Sequence, residues 1–128
     1  MSPVPVVSIV DDDASVRAGL ESLVRSLGYE ACVFASAEAL LSSPRLGDTG
    51  CLIVDVQMPG MTGLDLQTEL QARRCAIPII FITAFPEERI RRHAEAAGAV
   101  GFFGKPVEGG ILVDCLDAAL RQGSCRRS

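Results

Sequence analysis

The sequence contains only one lysine, Lys105, whereas arginine supplies the other eleven of its twelve basic residues. In a chain with so strong a preference for arginine, one retained lysine indicates a position that needs a compact, mobile ammonium rather than a planar guanidinium. Lys105 lies in Gly104-Lys105-Pro106, directly after the apolar run 100–103. This placement predicts a contact between Lys105 and phosphate.

Long hydrophobic runs are also absent, and Pro3 and Pro5 interrupt the start of the chain. The apolar runs are far shorter than the roughly 20 residues of a membrane-spanning helix, so we expect neither a membrane span nor a signal peptide. A net charge of −4 argues against bulk attraction to nucleic acid. We therefore expect a cytoplasmic domain that does not itself bind DNA.

The five cysteines are odd in number and form no Cys-x-x-Cys pair, which argues against a disulfide framework or a zinc site. Most of them lie in apolar segments, where reduced thiols pack as small hydrophobic groups. Only the cysteine near the carboxyl terminus is expected to be exposed. The five cysteines are Cys32, Cys51, Cys75, Cys115 and Cys125, the last of which is the one near the carboxyl terminus.

With 128 residues, the chain has the size of one domain that buries about two thirds of its unfolded surface. Five apolar runs alternate with five amphipathic stretches, which is typical of a doubly wound α/β fold with a parallel sheet covered on both faces. We expect the domain to span residues 1–121, with 122–128 as a flexible tail or the start of a linker. Strands are predicted over 4–10, 29–34, 51–55, 77–83 and 100–103.

The helices are predicted from spacing and from capping residues. Gly28 ends the first helix, Ser36 caps a short second one, and the third ends near Arg74. Pro86 is expected to open the fourth helix as its first residue, and Gly98 to close it.

Charged and polar residues follow four of the predicted strands: Asp11, Asp12 and Asp13 after the first, Asp55 after the third, Thr83 after the fourth and Lys105 after the fifth. In such sheets, ligands bind beyond the carboxyl ends of the strands. Carboxylates about 6 Å apart repel by about 3 kcal/mol at an effective dielectric near 20, so they take up protons or bind a divalent cation. Carboxylate oxygens with room for water suit Mg²⁺. Asp13 has a simpler explanation as a helix cap, and the other acids could instead be solvated.

An ionised carboxylate beside a metal and an ammonium can attack a phosphoryl group and form an aspartyl phosphate. Because Asp55 directly follows the middle strand, we expect it to be the nucleophile, with Asp11 and Asp12 holding the metal. The Thr83 hydroxyl could donate to a phosphoryl oxygen, although Thr83 taken alone could simply end a strand.

Four segments together resemble the receiver domain of two-component response regulators: Ile9 to Asp13, Val54 to Gly63, Phe81 to Ala84 and Gly98 to Pro106. The resemblance covers nearly the whole chain. It implies a flavodoxin-like, CheY-like sheet of five parallel strands in the order 2-1-3-4-5. It also implies a cis peptide between Lys105 and Pro106.

For the site, the resemblance implies that Asp55 accepts phosphate from a histidine kinase. It further implies that Asp12, Asp55 and the Gln57 carbonyl bind Mg²⁺ with support from Asp11, and that Thr83 and Lys105 bind the phosphoryl group. Such a domain is not an enzyme in the usual sense, but it assists its own phosphorylation and dephosphorylation.

Phe102 aligns with the switch aromatic of this family, which turns inward when Thr83 moves toward the phosphate; alternatively, Phe102 and Phe103 simply alternate across an edge strand. Gln57 and Phe85 occupy two positions that tune phosphate lifetime, and our hypothesis is that the bulky Phe85 hinders an attacking water molecule.

The segments 34–41 and 58–63 are most similar to receivers of transcriptional regulators of the FixJ/NarL (LuxR) type, which carry a helix-turn-helix DNA-binding domain that this sequence lacks. Output is expected through the fourth helix, fifth strand and fifth helix, whose mixed charges could pair across a phosphorylation-dependent homodimer. An ordinary solvated surface is the alternative, as is a stand-alone receiver that acts by protein contacts or phosphorelay. The charged residues are Arg89, Arg91, Arg92, Glu108, Asp114 and Asp117, and His93 is expected to be a surface residue.

Two other protein classes share some of these features. A flavodoxin-like flavin or nucleotide binder would cradle phosphate with a loop rich in Gly, Ser or Thr after the first strand, whereas Asp11-Asp12-Asp13 would repel it. A phosphatase of the haloacid-dehalogenase kind would need an acid two residues after the nucleophile, and position 57 is Gln.

Overall fold

Five parallel strands form one sheet in the order β2-β1-β3-β4-β5, as predicted. The structure is a computed structural model that describes the backbone of residues 4–126 and the side chains of residues 4–121. The three central strands are almost completely buried because most residues of each strand are apolar. The strands are β1 (Val6–Val10), β2 (Glu30–Phe34), β3 (Thr49–Asp55), β4 (Ile79–Thr83) and β5 (Gly101–Gly104).

Five α-helices connect the strands and cover both faces of the sheet. Apolar side chains of α1 and α5 pack on one face, and those of α2, α3 and α4 pack on the other. A 3-10 helix over Pro44–Asp48 precedes β3. The helices are α1 (Ala14–Ser26), α2 (Ala37–Leu41), α3 (Gly63–Ala72), α4 (Glu88–Ala96) and α5 (Gly109–Arg126).

Side-chain caps fix where the first three helices begin. Asp13 Oδ1 accepts hydrogen bonds from the main-chain N–H groups of Ser15 and Val16, which confirms its predicted capping role. Ser36 caps α2 as expected. Thr62 and Asp65 form a reciprocal capping box at the start of α3. The loops that precede α1 and α3 therefore end at defined positions.

The prediction that Pro86 opens α4 is wrong. The helix begins at Glu88, and Glu87 precedes it in an extended conformation with φ −115° and ψ 137°. Pro86 instead lies against β5, where a Cβ added at Gly104 would be 3.1 Å from the Pro86 ring. This packing keeps the proline in the connection between β4 and α4.

Helix α5 continues to Arg126, so the first residues of the predicted tail, 122–126, are helical. They include no proline, the residue that would interrupt a helix most strongly. Residues 127 and 128, and the side chain of Cys125, lie outside what the structure describes. The domain boundary at residue 121 stays a prediction. Among the described residues, no helix has the length and apolar character that crossing a membrane requires.

Candidate functional site

Three carboxylates meet at the carboxyl edge of the sheet, in the loop after β1 and at the end of β3. Asp11, Asp12 and Asp55 each offer one oxygen, and these oxygens lie within 4.8 Å of one another. Asp11 and Asp55 are buried, whereas Asp12 is exposed. The sequence predicted that these residues converge, and their oxygens lie inside the expected distance of about 6 Å.

The single lysine joins this cluster from the loop after β5. Lys105 Nζ lies 2.9 Å from Asp11 Oδ2 and 3.2 Å from Asp55 Oδ2. Its contact with Asp55 has the geometry of a hydrogen bond, whereas its contact with Asp11 is an ion pair without that geometry. The peptide bond between Lys105 and Pro106 is cis, as the family resemblance implied.

Burial and charge act in opposite directions on Asp55. Partial burial raises the pKa of the Asp55 carboxyl most strongly, a hydrogen bond from the Gln57 N–H opposes the rise, and the Asp11 carboxylate adds to it. Lys105 also opposes the rise, but the net pKa of Asp55 is raised. For Lys105, burial lowers the pKa of the ammonium, whereas Asp11 and Asp55 together raise it above its ordinary value. The two carboxylates thus hold the lysine in its charged form.

Thr83 and Gln57 flank Asp55 on neighbouring segments. Thr83 ends β4, is buried, and accepts a hydrogen bond from Phe85 N–H at Oγ1, 3.2 Å away. Its main-chain carbonyl accepts from Lys105 N–H at 2.8 Å, which connects the ends of β4 and β5. Gln57 N–H donates to Asp55 Oδ1 at 3.1 Å. The residues predicted to bind the metal or the phosphoryl group therefore lie at one edge of the sheet.

Two residues that shape this edge were missed by the sequence analysis. Arg17, on α1, donates from Nη1 to the main-chain carbonyl of Asp11 at 2.7 Å. Gly63 begins α3 so close to β3 that an added Cβ would lie 2.5 Å from the carbonyl oxygen of Asp55. Gly63 belongs to the segment that carried the family resemblance, whereas no spacing rule indicates the contact of Arg17.

The two phenylalanines of β5 point to opposite faces of the sheet. Phe102 packs in the cluster of α2, α3 and α4, with its ring centroid 6.4 Å from that of Phe81, and Phe103 packs in the cluster of α1 and α5. Phe85, two residues after Thr83, is 66% exposed. The predicted alternation of Phe102 and Phe103 is thus present, and it leaves a switching role for Phe102 open.

Several charged residues on the predicted output surface find partners within the domain. Arg91 and Arg92 pair with Glu88 of their own helix, and Arg91 also pairs with Glu95. Asp117 of α5 accepts a hydrogen bond from Tyr29. These intramolecular contacts favour an ordinary solvated helix surface over a surface whose charges pair with a second molecule. Exposed pairs of this kind contribute little individually.

The donor set fits a hard divalent cation such as Mg²⁺. Every side-chain ligand atom in the cluster is a carboxylate oxygen, which Mg²⁺ prefers. Asp11 Oδ2 is buried and accepts no hydrogen bond from the described residues, although most buried polar atoms do. A cation beside these oxygens would relieve the mutual repulsion that Lys105 only partly offsets.

Comparisons with known proteins agree with this geometry. A family model described as the response regulator receiver domain matches residues 7–117. The chain is 42% identical over 122 residues to nodulation protein W of Bradyrhizobium diazoefficiens, in a match covering 95% of the chain and 54% of that protein. It is 33% identical over 116 residues to transcriptional regulatory protein FixJ of the same organism, covering 91% of the chain and 57% of that protein.

Among solved structures, the response regulator StyR is 42% identical in sequence and superimposes with a TM-score of 0.90. The match covers 98% of the chain described here and 63% of the StyR chain. The chain spans about half the length of the two curated relatives.

Proposed function

The chain belongs to the response regulator receiver domain family, and from this premise we propose that Asp55 accepts a phosphoryl group from a sensor histidine kinase. Receiver domains are the regulated half of two-component systems, and the relatives of this chain include transcriptional regulators. The observation that carries the proposal is the position of one buried carboxylate, Asp55, which contacts a lysine ammonium and lies beside the carboxylates of Asp11 and Asp12.

The chemistry assigned to Asp55 is nucleophilic attack by a carboxylate oxygen on phosphorus. The bond between phosphorus and the donor group breaks, an acyl phosphate bond forms, and the donor leaves with the electron pair. Lys105 stands 3.2 Å from Asp55 Oδ2, where its positive charge opposes the charge on the transferred oxygens. The Thr83 hydroxyl, at the adjacent strand end, is the donor for a further phosphoryl oxygen.

Mg²⁺, when bound, neutralises negative charge on the transferring phosphoryl oxygens and on the carboxylates. We assign its ligands to the carboxylates of Asp12 and Asp55 and to the Gln57 main-chain carbonyl, with Asp11 supporting them. The Gln57 N–H bond to Asp55 Oδ1 supports this assignment because it keeps the main chain of residue 57 beside that carboxylate.

The same site is proposed to control a surface made by α4, β5 and α5. The Thr83 hydroxyl accepts a hydrogen bond from Phe85 N–H, so movement of this hydroxyl toward a phosphoryl group changes a contact in the connection after β4. Phe102, whose ring packs near Phe81, is the side chain assigned to follow this movement.

The phosphorylated protein is proposed to form a homodimer and to control transcription through a DNA-binding domain outside this chain. The alternative is a stand-alone receiver that acts through protein contacts or phosphorelay. The curated relatives, about twice as long as the match, favour the first possibility. A cytoplasmic location stays a prediction.

The test is incubation with acetyl phosphate and Mg²⁺, followed by intact mass measurement. We expect a gain of one phosphoryl group that Asp55→Asn abolishes. Asp114→Asn is the matched control because Asp114 is exposed on α5 and outside the carboxylate cluster. Phosphorylation of Asp55→Asn to the level of the wild type would refute the assignment of Asp55. Sedimentation of both forms distinguishes a phosphorylation-dependent dimer from a receiver that stays monomeric.

A further inference from the structure

The two segments that are most similar to receivers of the FixJ/NarL type, 34–41 and 58–63, contact each other through Glu38. Glu38 lies in the first turn of α2, and its Oε2 accepts a hydrogen bond from the main-chain N–H of Met61 at 3.2 Å. Met61 belongs to the loop between β3 and α3, which also carries Gln57. A side chain of α2 therefore reaches the loop that follows the phosphorylation site.

Gly60 makes this contact possible. Its φ of +74° is one that glycine adopts readily, and a Cβ at this position would lie 3.0 Å from Glu38 Oε2. The carboxylate thus rests directly against the turn formed by Gly60 and Met61. The turn and the glutamate are matched in shape as well as in hydrogen bonding.

Hydrogen bonds hold the rest of the loop at its two ends, and the buried side chain of Met58 anchors it to the hydrophobic cluster of α2, α3 and α4. At the start, Gln57 N–H binds Asp55 Oδ1, and at the end, Gly63 N–H donates to the Val56 carbonyl at 2.9 Å. Glu38 binds between these two points and from another element. Its hydrogen bond therefore restrains the turn at Gly60 and Met61, which the hydrogen bonds at the two ends of the loop do not reach.

We propose that Glu38 is a positioning residue for the metal and phosphoryl site. By holding Gly60 and Met61, it keeps the loop in the conformation that presents the Gln57 main chain beside Asp55. This inference rests on the proposed function because it concerns the same Mg²⁺ site. Glu38 itself touches neither Asp55 nor Lys105 through any hydrogen bond or ion pair among the described residues.

The experiment is calorimetric titration of the unphosphorylated protein with Mg²⁺. Removal of outer residues that orient metal ligands weakens metal binding by roughly 10- to 100-fold, and we expect the Kd for Mg²⁺ to rise about tenfold in Glu38→Ala. Glu38→Gln keeps an oxygen that can accept from Met61 N–H and should bind Mg²⁺ almost as the wild type does. Glu69→Ala is the charge-matched control because the Glu69 side chain of α3 pairs only with Arg73, the residue that follows this helix, among the described residues.

Amide hydrogen exchange gives a second measurement that does not depend on metal. Exchange at the Met61 N–H should accelerate in Glu38→Ala but not in Glu38→Gln or Glu69→Ala. Unchanged Mg²⁺ affinity in Glu38→Ala would overturn the proposal. Equal weakening in Glu38→Gln and Glu38→Ala would also overturn it, since loss of charge alone would then explain the effect. If the wild type bound no Mg²⁺ and accepted no phosphoryl group, the proposed function itself would fail.

Discussion

Asp55 is a buried carboxylate with a second buried carboxylate, Asp11, beside it and one ammonium facing both. Three negative charges, including that of Asp12, thus face one positive charge within the site. The arrangement carries a net negative charge where the pKa of Asp55 is already raised by burial. A cation beside these oxygens would offset that repulsion, as the proposed function requires.

Phe85 provides a prediction at the residue scale. Its side chain is 66% exposed, and its N–H is bound to the hydroxyl of Thr83, so an exposed ring belongs to a residue that is directly connected to the site. We expect Phe85→Ala to lose phosphate faster because a smaller side chain hinders an attacking water molecule less. The decay of the phosphorylated protein, followed by intact mass, measures this rate.

The control for Phe85→Ala is Val33→Ala, which removes an exposed apolar side chain from edge strand β2. Val33→Ala should lose phosphate at the wild-type rate. A rate in Phe85→Ala equal to that of the wild type would contradict the shielding hypothesis.

Sequence reasoning works best for residues whose roles follow from a strand end. Asp11, Asp55, Thr83 and Lys105 were predicted to meet because parallel strands place their carboxyl ends at one edge, and they do meet. Arg17 was missed because its partner is a main-chain carbonyl six residues earlier, a contact that the types and spacing of the side chains do not reveal.

At the scale of elements, the start of α3 depends on the absence of a side chain at Gly63. A methyl group there would lie 2.5 Å from the Asp55 carbonyl oxygen and 3.0 Å from Val56 Cα, so the helix must move away from β3. We expect Gly63→Ala to lower the free energy of unfolding by about 1–3 kcal/mol, as overpacking usually does. Urea denaturation measures the change, and Mg²⁺ binding should weaken because the loop after Asp55 moves with the helix.

Gly19→Ala is the matched control. Gly19 lies inside α1, and a Cβ there would meet nothing within 4 Å among the described residues beyond its own helix backbone. Because alanine favours a helix over glycine by about 1 kcal/mol, Gly19→Ala should stabilise the domain. Two substitutions of the same kind are thus expected to change stability in opposite directions, and a stabilising Gly63→Ala would contradict the close approach of α3 to β3.

Tyr29 connects the start of β2 to α5. Its hydroxyl donates to Asp117 Oδ1, and this hydrogen bond, together with burial and the carboxylate charge, raises the pKa of Tyr29 to about 12. A raised pKa means that folding favours the neutral phenol. The contribution to stability is therefore complete below the unfolded value of about 10 and is lost as the pH rises through the folded value.

The measurement compares the wild type with Tyr29→Phe in urea at several pH values. The wild type should be more stable at pH 8, and the difference should shrink steadily above a pH of about 10. Groups other than Tyr29 titrate in both proteins and cancel in the comparison. A difference that stays constant to about pH 12 would show that the phenol proton does not stabilise this contact.

At the scale of the whole molecule, periodicity in the sequence predicted the alternation of strands and helices, and hence the α/β class. The strand order came from the family resemblance, because apolar runs alone leave the order open. The error at the start of α4 has a local cause, since Pro86 packs against Gly104 instead of opening the helix. Spacing along the sequence does not encode such a tertiary contact.

The acidic edge also affects the stability of the whole domain. Asp12 is the exposed member of the carboxylate cluster, so Asp12→Asn removes repulsion without leaving a buried group unpaired. We expect Asp12→Asn to be at least as stable as the wild type without metal, and to gain little from Mg²⁺. The wild type should gain about 2.7 kcal/mol when free Mg²⁺ is a hundred times its Kd. Thermal unfolding with and without Mg²⁺ measures both effects.

Asp13→Asn is the control because Asp13 caps α1 outside the carboxylate cluster, and asparagine caps a helix about as well as aspartate. Asp13→Asn should keep most of the stabilisation by Mg²⁺, although it removes the same charge one residue away. If both variants lost that stabilisation equally, the metal would respond to the total charge of the loop. If only Asp12→Asn lost it, Mg²⁺ binding would depend on the carboxylate oxygen of Asp12 at the edge of the sheet. The repulsion among the three carboxylates in the metal-free protein would then favour binding of the cation, because the cation relieves it.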